Sequence, residues 1–166
     1  DSAKDTLEKN PGLAVPVSTL VDDLVAKERF DDAIELCKLC LEAAPDTPLL
    51  LMRLGTLYEI AGKSDLAAVE YARVVDLAPN AAMAHNNLAW LLAEQGKLEE
   101  ALPHAEQAHA LLPEHPAVLD TLGWIYFKKD DFDKAIPLLE QAVQKTDDIR
   151  ILYHLGKAYH QAGRVD

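Results

Sequence analysis

The chain has 166 residues, 49% of them apolar and 27% charged, a composition that supports a folded core and excludes the disordered and fibrous classes. Its 16 basic against 28 acidic residues leave a net charge of −12, which argues against nucleic acid and anionic membrane as partners, because both are bound by meeting phosphate with basic side chains. No apolar run approaches the roughly 18 to 20 residues of a membrane span, and two cysteines cannot build a disulfide framework.

One period organises the chain. Pro11, Pro45, Pro79 and Pro113 are 34 residues apart, and so are Ala33, Ala67, Ala101 and Ala135, and Leu20, Leu54, Leu88 and Leu122. Gly55, Ala89 and Gly123 run in step with them, and the interval from Leu122 to Leu155 shortens to 33, which reads as one deletion in a turn. Residues 1–13, with Leu7 and Asn10-Pro11-Gly12, fall in register with the close of a second helix and read as the remnant of a preceding copy. Copies follow at 14–47, 48–81, 82–115 and 116–148, and 149–166 is the first helix of a truncated fifth. In the copy at 48–81, Leu51, Leu54, Gly55 and Tyr58 share one helical face, Gly62-Lys63-Ser64 breaks the helix, and Leu66, Ala67, Tyr71, Val74 and Val75 line a second helix that Ala78-Pro79-Asn80 stops. Ala67 and its equivalents are predicted where the second helix crosses the first, and Gly55, Ala89 and Gly123 where one copy approaches the next. Because both ends fall inside a copy, the sequence predicts a piece of a longer array. Leu152, Leu155 and Tyr159 are then expected to lack cover and to self-associate with a second chain.

These positions resemble the signature of the tetratricopeptide repeat (TPR) family: Leu51, Leu54-Gly55, Tyr58, Ala67, Tyr71, Val74 and Pro79 in one copy, and Leu119, Leu122-Gly123, Tyr126, Phe132, Ala135, Leu139 and Ala142 in another. The resemblance covers essentially the whole chain and implies an all-α fold, a right-handed α-solenoid of antiparallel helix pairs forming a TPR superhelix. It implies a scaffold for protein partners rather than an enzyme, and it does not name the partner. At the level of short phrases, Asn86-Asn87-Leu88-Ala89-Trp90-Leu91-Leu92-Ala93 and Asp120-Thr121-Leu122-Gly123-Trp124 are similar to large bacterial TPR proteins of exopolysaccharide export and envelope protein sorting. The address stays open between cytoplasmic and, where that similarity holds, periplasmic, and the similarity leaves carbohydrate stacking on the two tryptophans as an option.

Residues that carry chemistry are sparse. Cys37-Lys38-Leu39-Cys40 lacks the second ligand pair of a zinc site, and its cysteines stand where the next copy has Tyr71 and Val74, so they are predicted as core packing. The six histidines are scattered, and no nucleophile elbow, phosphate loop or H-E-x-x-H occurs. No catalytic residue, metal or cofactor is therefore assigned. Glu99-Glu100, Asp130-Asp131 and Asp147-Asp148 lie in or beside turns, where acids favour the start of a helix.

Surface remains as the carrier of function. First helices of stacked pairs line a concave groove, and the positions left over by the signature give Met52, Arg53, Asn86, Asn87, Trp90, Asp120, Trp124, Phe127, Tyr153 and Lys157 as the predicted partner-binding residues. His154 and His160 are placed among the outward positions of the last helix. Trp90 and Trp124 occupy equivalent positions and are expected either as neighbouring exposed rings on the groove floor, flanked by Asn86, Asn87 and Asp120, or flat between helices as packing. The clamp of Lys, Asn, Asn, Lys and Arg with which some TPR domains hold acidic chaperone tails is absent, since its places hold Met52, Thr56, Asn87, Ala117 and Thr121. Charge shifts from Asp22 and Glu59 early to Arg150 and Lys157 late, which would orient an extended partner. The leading expectation is a non-catalytic scaffold that binds a peptide or helix in this groove. The alternative is a structural self-assembly module.

Overall fold

The structure, a computed structural model, describes residues 14–164; the helix remnant predicted at 1–13 lies outside the described residues. Within them there are nine α-helices and no strand: α1 (Ala14–Ala26), α2 (Phe30–Ala43), α3 (Pro48–Ile60), α4 (Ser64–Leu77), α5 (Ala82–Glu94), α6 (Leu98–Leu111), α7 (Pro116–Lys128), α8 (Phe132–Val143) and α9 (Ile149–Gln161). They form two compact units, divided between Pro79 and Asn80. In the first unit α1 packs on α2 and α3, and α3 on α4; in the second, α5, α7 and α9 are successive first helices, each in contact with the next, with α6 packed on α5 and α7 and α8 packed on α7 and α9. This is the all-α arrangement of stacked helix pairs expected from the period.

Every first helix ends in the same way. Glu28, Gly62, Gly96, Asp130 and Gly163 all have positive φ, between 58° and 77°. In each case the following amide reaches back five residues to a helix carbonyl, as Lys63 N–H does to Tyr58 at 2.8 Å and Asp131 N–H to Tyr126 at 3.0 Å. This closure leaves few carbonyls of the last turn without a donor. Glycine takes the left-handed conformation without cost, whereas Glu28 and Asp130 hold it against a steric penalty. Helix starts vary more: Pro48 and Pro116 occupy first-turn positions, and Asp131 and Asp148 accept amide hydrogens of the first turns of α8 and α9.

The alanine series marks the crossings, as expected: Ala33, Ala67, Ala101 and Ala135 are fully buried. The glycine series has a different role from the one expected. A Cβ at Gly55 would stand 2.6 Å from a ring carbon of Tyr71, and one at Gly123 would stand 2.9 Å from Leu139. At Gly55 and Gly123 the small residue therefore admits the large side chain of the second helix in its own pair. Cys37 and Cys40 are buried packing residues, and burial pushes the Cys37 thiol up to about 12. That keeps it protonated and unreactive across the physiological range.

The cover expected to be missing at the end of the chain is partly present. Leu155 and Tyr159 are half-buried against the α8 cluster of Ala135, Ile136 and Leu139, and the Tyr159 hydroxyl donates to Glu140. Tyr126, one period earlier, donates in the same way to Glu106 at 3.1 Å. Of the three residues expected to be exposed, only Leu152 is, at 46%, and it is accompanied by Ile149 and Tyr153. A second helix packs from one side only, so it covers Leu155 and Tyr159 but leaves the opposite flank of α9 open.

Candidate functional site

The predicted groove residues divide between the two units. Met52 and Arg53 belong to the first, where both are half-buried. The Arg53 guanidinium donates to Ser18 at 3.2 Å and to Asp22 at 2.9 Å, which joins α3 to α1. The remaining residues lie in the second unit on α5, α7 and α9.

A buried layer forms the base of that second face. Trp124 is 9% exposed, so the expectation of an exposed ring is corrected at this position. It stacks on Phe127, with centroids 4.6 Å apart and planes 12° apart, and on His154, at 4.0 Å and 20°. His154, expected to face outward, is itself buried, and its Nδ1 lies 2.7 Å from the Asp120 carboxylate. Asp120, Asn86 and Phe127 are buried as well, so they support the face without presenting themselves on it. The physical reason is the next first helix: α9 lays the His154 ring over Trp124, while the equivalent place one copy earlier holds the smaller Thr121. Trp90 consequently remains half-buried, and its ring lies 5.8 Å from that of His154. The two indoles are thus joined by one imidazole rather than adjoining as an exposed pair.

Polar groups hold this layer at its edge. Trp124 Nε1–H donates to Glu94 at 3.2 Å. Lys128 pairs with the same carboxylate at 2.8 Å, donates to the Ala93 carbonyl at 3.1 Å and lies 5.7 Å above the Trp124 ring. Partial burial would raise the Glu94 carboxyl, but the hydrogen bonds from Lys128 and Trp124 and the charge of Lys128 outweigh it and hold the group below its ordinary value. Above the layer sit the accessible groups. The Arg150 guanidinium lies 5.6 Å over Trp90, Tyr153 is 58% exposed, and the Lys157 ammonium lies 5.3 Å over the Tyr153 ring. Asn87 is half-buried and accepts from Asn86 at 3.3 Å.

Sequence reasoning missed the pairing of His154 with Asp120 and the part played by Glu94 and Lys128. The signal was available: residues one period apart lie on neighbouring first helices, and Asp120 and His154 are 34 apart. The histidines are also less scattered than they read, since His85 and His104 bring their Nδ1 atoms within 3.0 Å. Among the described residues no group of three or more His, Cys, Asp or Glu side chains could hold a metal ion.

Comparison with known proteins agrees with this architecture. A family model described as tetratricopeptide repeat matches residues 46–114 and again 80–146. The chain belongs to the tetratricopeptide repeat family. An uncharacterized protein y4yS of Sinorhizobium fredii is 30% identical over 97 residues, which make up 58% of this chain and 53% of that protein, so the chain spans about half the length of the curated relative it matches. Among solved structures, the MamA protein superimposes with a TM-score of 0.78 at 26% identity, covering 91% of this chain and 83% of that one. TTC0263, a thermophilic TPR protein of Thermus thermophilus, gives a TM-score of 0.72 at 25% identity, covering 91% and 84%. TPR domains are in general non-catalytic scaffolds whose stacked helices present extended surfaces to protein partners. No helix among the described residues is long and apolar enough to cross a membrane.

Proposed function

We propose that the second unit binds a peptide or helix of a partner protein across α5, α7 and α9, with Trp90, Asn87, Arg150, Tyr153 and Lys157 as contact residues. The observation that supports this reading is the division between a rigid buried layer and an accessible one. Trp124, His154, Asp120 and Phe127 are packed and hydrogen-bonded below, while Trp90, Arg150, Tyr153 and Lys157 stand above them with apolar area and donors to offer. Aromatic and cationic side chains on a preorganised base are the composition from which interface hot spots are built. The cations favour a segment that carries carboxylates.

The test is a peptide selected against the protein from a random display library and titrated by fluorescence. Trp90→Ala should weaken binding at least about tenfold while the protein keeps its helicity; because the half-buried ring also packs on the Trp124 cluster, some loss of melting temperature accompanies it. Undiminished binding by a folded Trp90→Ala protein would remove the groove from the account.

A further inference from the structure

A tyrosine near the end of a first helix meets the second helix of the preceding copy, and one side chain there decides what its hydroxyl can do. Tyr126 of α7 donates to Glu106 of α6 at 3.1 Å, and Tyr159 of α9 donates to Glu140 of α8. The copy at 82–115 has neither partner of this tie, since Leu92 and Ala72 hold the two places. The copy at 48–81 keeps the tyrosine, Tyr58 on α3, but the place of Glu106 is held by Lys38 on α2. An ammonium has no lone pair with which to accept a phenol hydrogen. Lys38 lies over the Tyr58 ring instead, 5.8 Å from its centroid.

Tyr58 is 5% exposed and is set deeper than Tyr126 and Tyr159, which are half-buried. Its hydroxyl makes no hydrogen bond among the described residues. It is not sealed in the interior either, since the one sealed side-chain polar atom without a partner among those residues is Asn86 Oδ1. Tyr58 lines a groove of about 320 Å³ between α2 and α4, inside the first unit, with Leu41 and Leu54 beside it on the floor and Lys38, Glu42, Glu70 and Arg73 as its charged lining. Glu70 and Arg73 are paired at 3.0 Å, and Arg73 also donates to the Pro45 carbonyl at 2.8 Å. Lys38 and Glu42 are exposed and have no ion-pair partner among the described residues. Two donors, the Tyr58 hydroxyl and the Lys38 ammonium, thus stand unused where two other copies supply a carboxylate from their own second helix.

We infer that this groove binds an acidic side chain of a partner segment, whose carboxylate takes the place that Glu106 and Glu140 fill elsewhere. It accepts from the Tyr58 hydroxyl and the Lys38 ammonium, while flanking apolar side chains of the segment rest on Leu41 and Leu54. A carboxylate is favoured over a neutral acceptor because it meets a phenol and a cation together, and hydrogen bonds to a charged group are the stronger ones. Glu42 opposes it from the rim. The groove shares no residue with the Trp90 face, so the two readings fail independently.

The probe is acetyl-Leu-Glu-Leu-amide, with acetyl-Leu-Gln-Leu-amide as its neutral counterpart, titrated into the protein and followed by ¹H–¹⁵N NMR. The glutamate peptide should bind at least about tenfold more tightly than the glutamine peptide, weaken with added salt and shift the amides around Lys38 and Tyr58. Tyr58→Phe should weaken binding about fivefold or more without lowering the melting temperature, because the hydroxyl it removes bonds to nothing in the protein. Lys38→Glu should abolish binding and raise the melting temperature, since it rebuilds the tie that Tyr126 makes to Glu106. Glu42→Gln should tighten binding, and Trp90→Ala should leave it unchanged. Equal affinity for the two peptides, no binding of either at millimolar concentration, or full binding by a folded Lys38→Glu protein would overturn the inference. So would a preference for acetyl-Leu-Leu with a free terminal carboxylate over the glutamate peptide, since the ligand would then be a chain terminus and not an acidic side chain.

Discussion

Two pairs of neighbouring first helices are joined by polar contacts at the same register and built in opposite ways. Ser18 and Arg53 link α1 to α3, and Asp120 and His154, three periods later with one deletion, link α7 to α9. In the first pair Arg53 also meets Asp22, and their side chains are 41% and 51% exposed; in the second, His154 and Asp120 are 5% and 2% exposed. The same position in the repeat therefore holds an exposed ion pair that water screens and a buried hydrogen-bonded pair. An exposed pair sets register at little gain in stability, while a buried pair is strongly destabilising to break once formed. The second arrangement fixes the surface above it, because His154 is also the ring on which Trp124 stacks.

The largest effect should come from breaking the buried pair. His154→Ala leaves the Asp120 carboxylate buried without its partner and removes the stacking on Trp124, and should cost about 3 to 5 kcal/mol in urea denaturation. Arg53→Ala should cost less than about 1 kcal/mol in the same assay. Equal losses would dissolve the distinction between the two links.

Next in size are the glycines. Gly55→Ala forces a methyl group against the Tyr71 ring and should cost about 1 to 3 kcal/mol, whereas Gly156→Ala enters open space and should gain up to about 1 kcal/mol from helix propensity. Thermal melts of the two single variants decide it.

Smaller gains are expected at the turns. Glu28→Gly and Asp130→Gly relieve a left-handed non-glycine residue at φ 58° and should each raise stability by about 0.5 to 1 kcal/mol. The same exchange at a right-handed helical residue would lower it.

The least effect belongs to Glu94. Its carboxyl is held below its ordinary value of 4.5, so its contribution is fully present above that value. The contribution declines as pH falls through 4.5 and is gone below the depressed folded-state value. Glu94→Gln should flatten this part of the stability profile in acid, measured as the denaturation midpoint against pH.

The fold was legible because the period is carried by steric necessities: alanine at the crossings, glycine beneath Tyr71 and Leu139, proline where a helix cannot continue. The turns were legible in principle too, since Gly62, Gly96 and Gly163 stand in register, but Glu28 and Asp130 interrupt the series and hide it. The candidate face was legible only as a set of positions. Which of them are buried depends on the side chain that the next first helix lays over them, and that depends on a pairing one period away. Trp90 and Trp124 look alike along the sequence and differ because His154 stacks on Trp124 at 4.0 Å and approaches Trp90 only to 5.8 Å.

The chain contains two tryptophans, so its ¹H–¹⁵N spectrum offers two indole resonances, one from each layer of the proposed site. On titration with a selected partner peptide, the Trp90 indole should shift strongly and that of Trp124, tied to Glu94 beneath the surface, should move little. Perturbation of Trp124 alone, or of neither ring at saturation, would contradict the division into a buried supporting layer and an accessible binding layer.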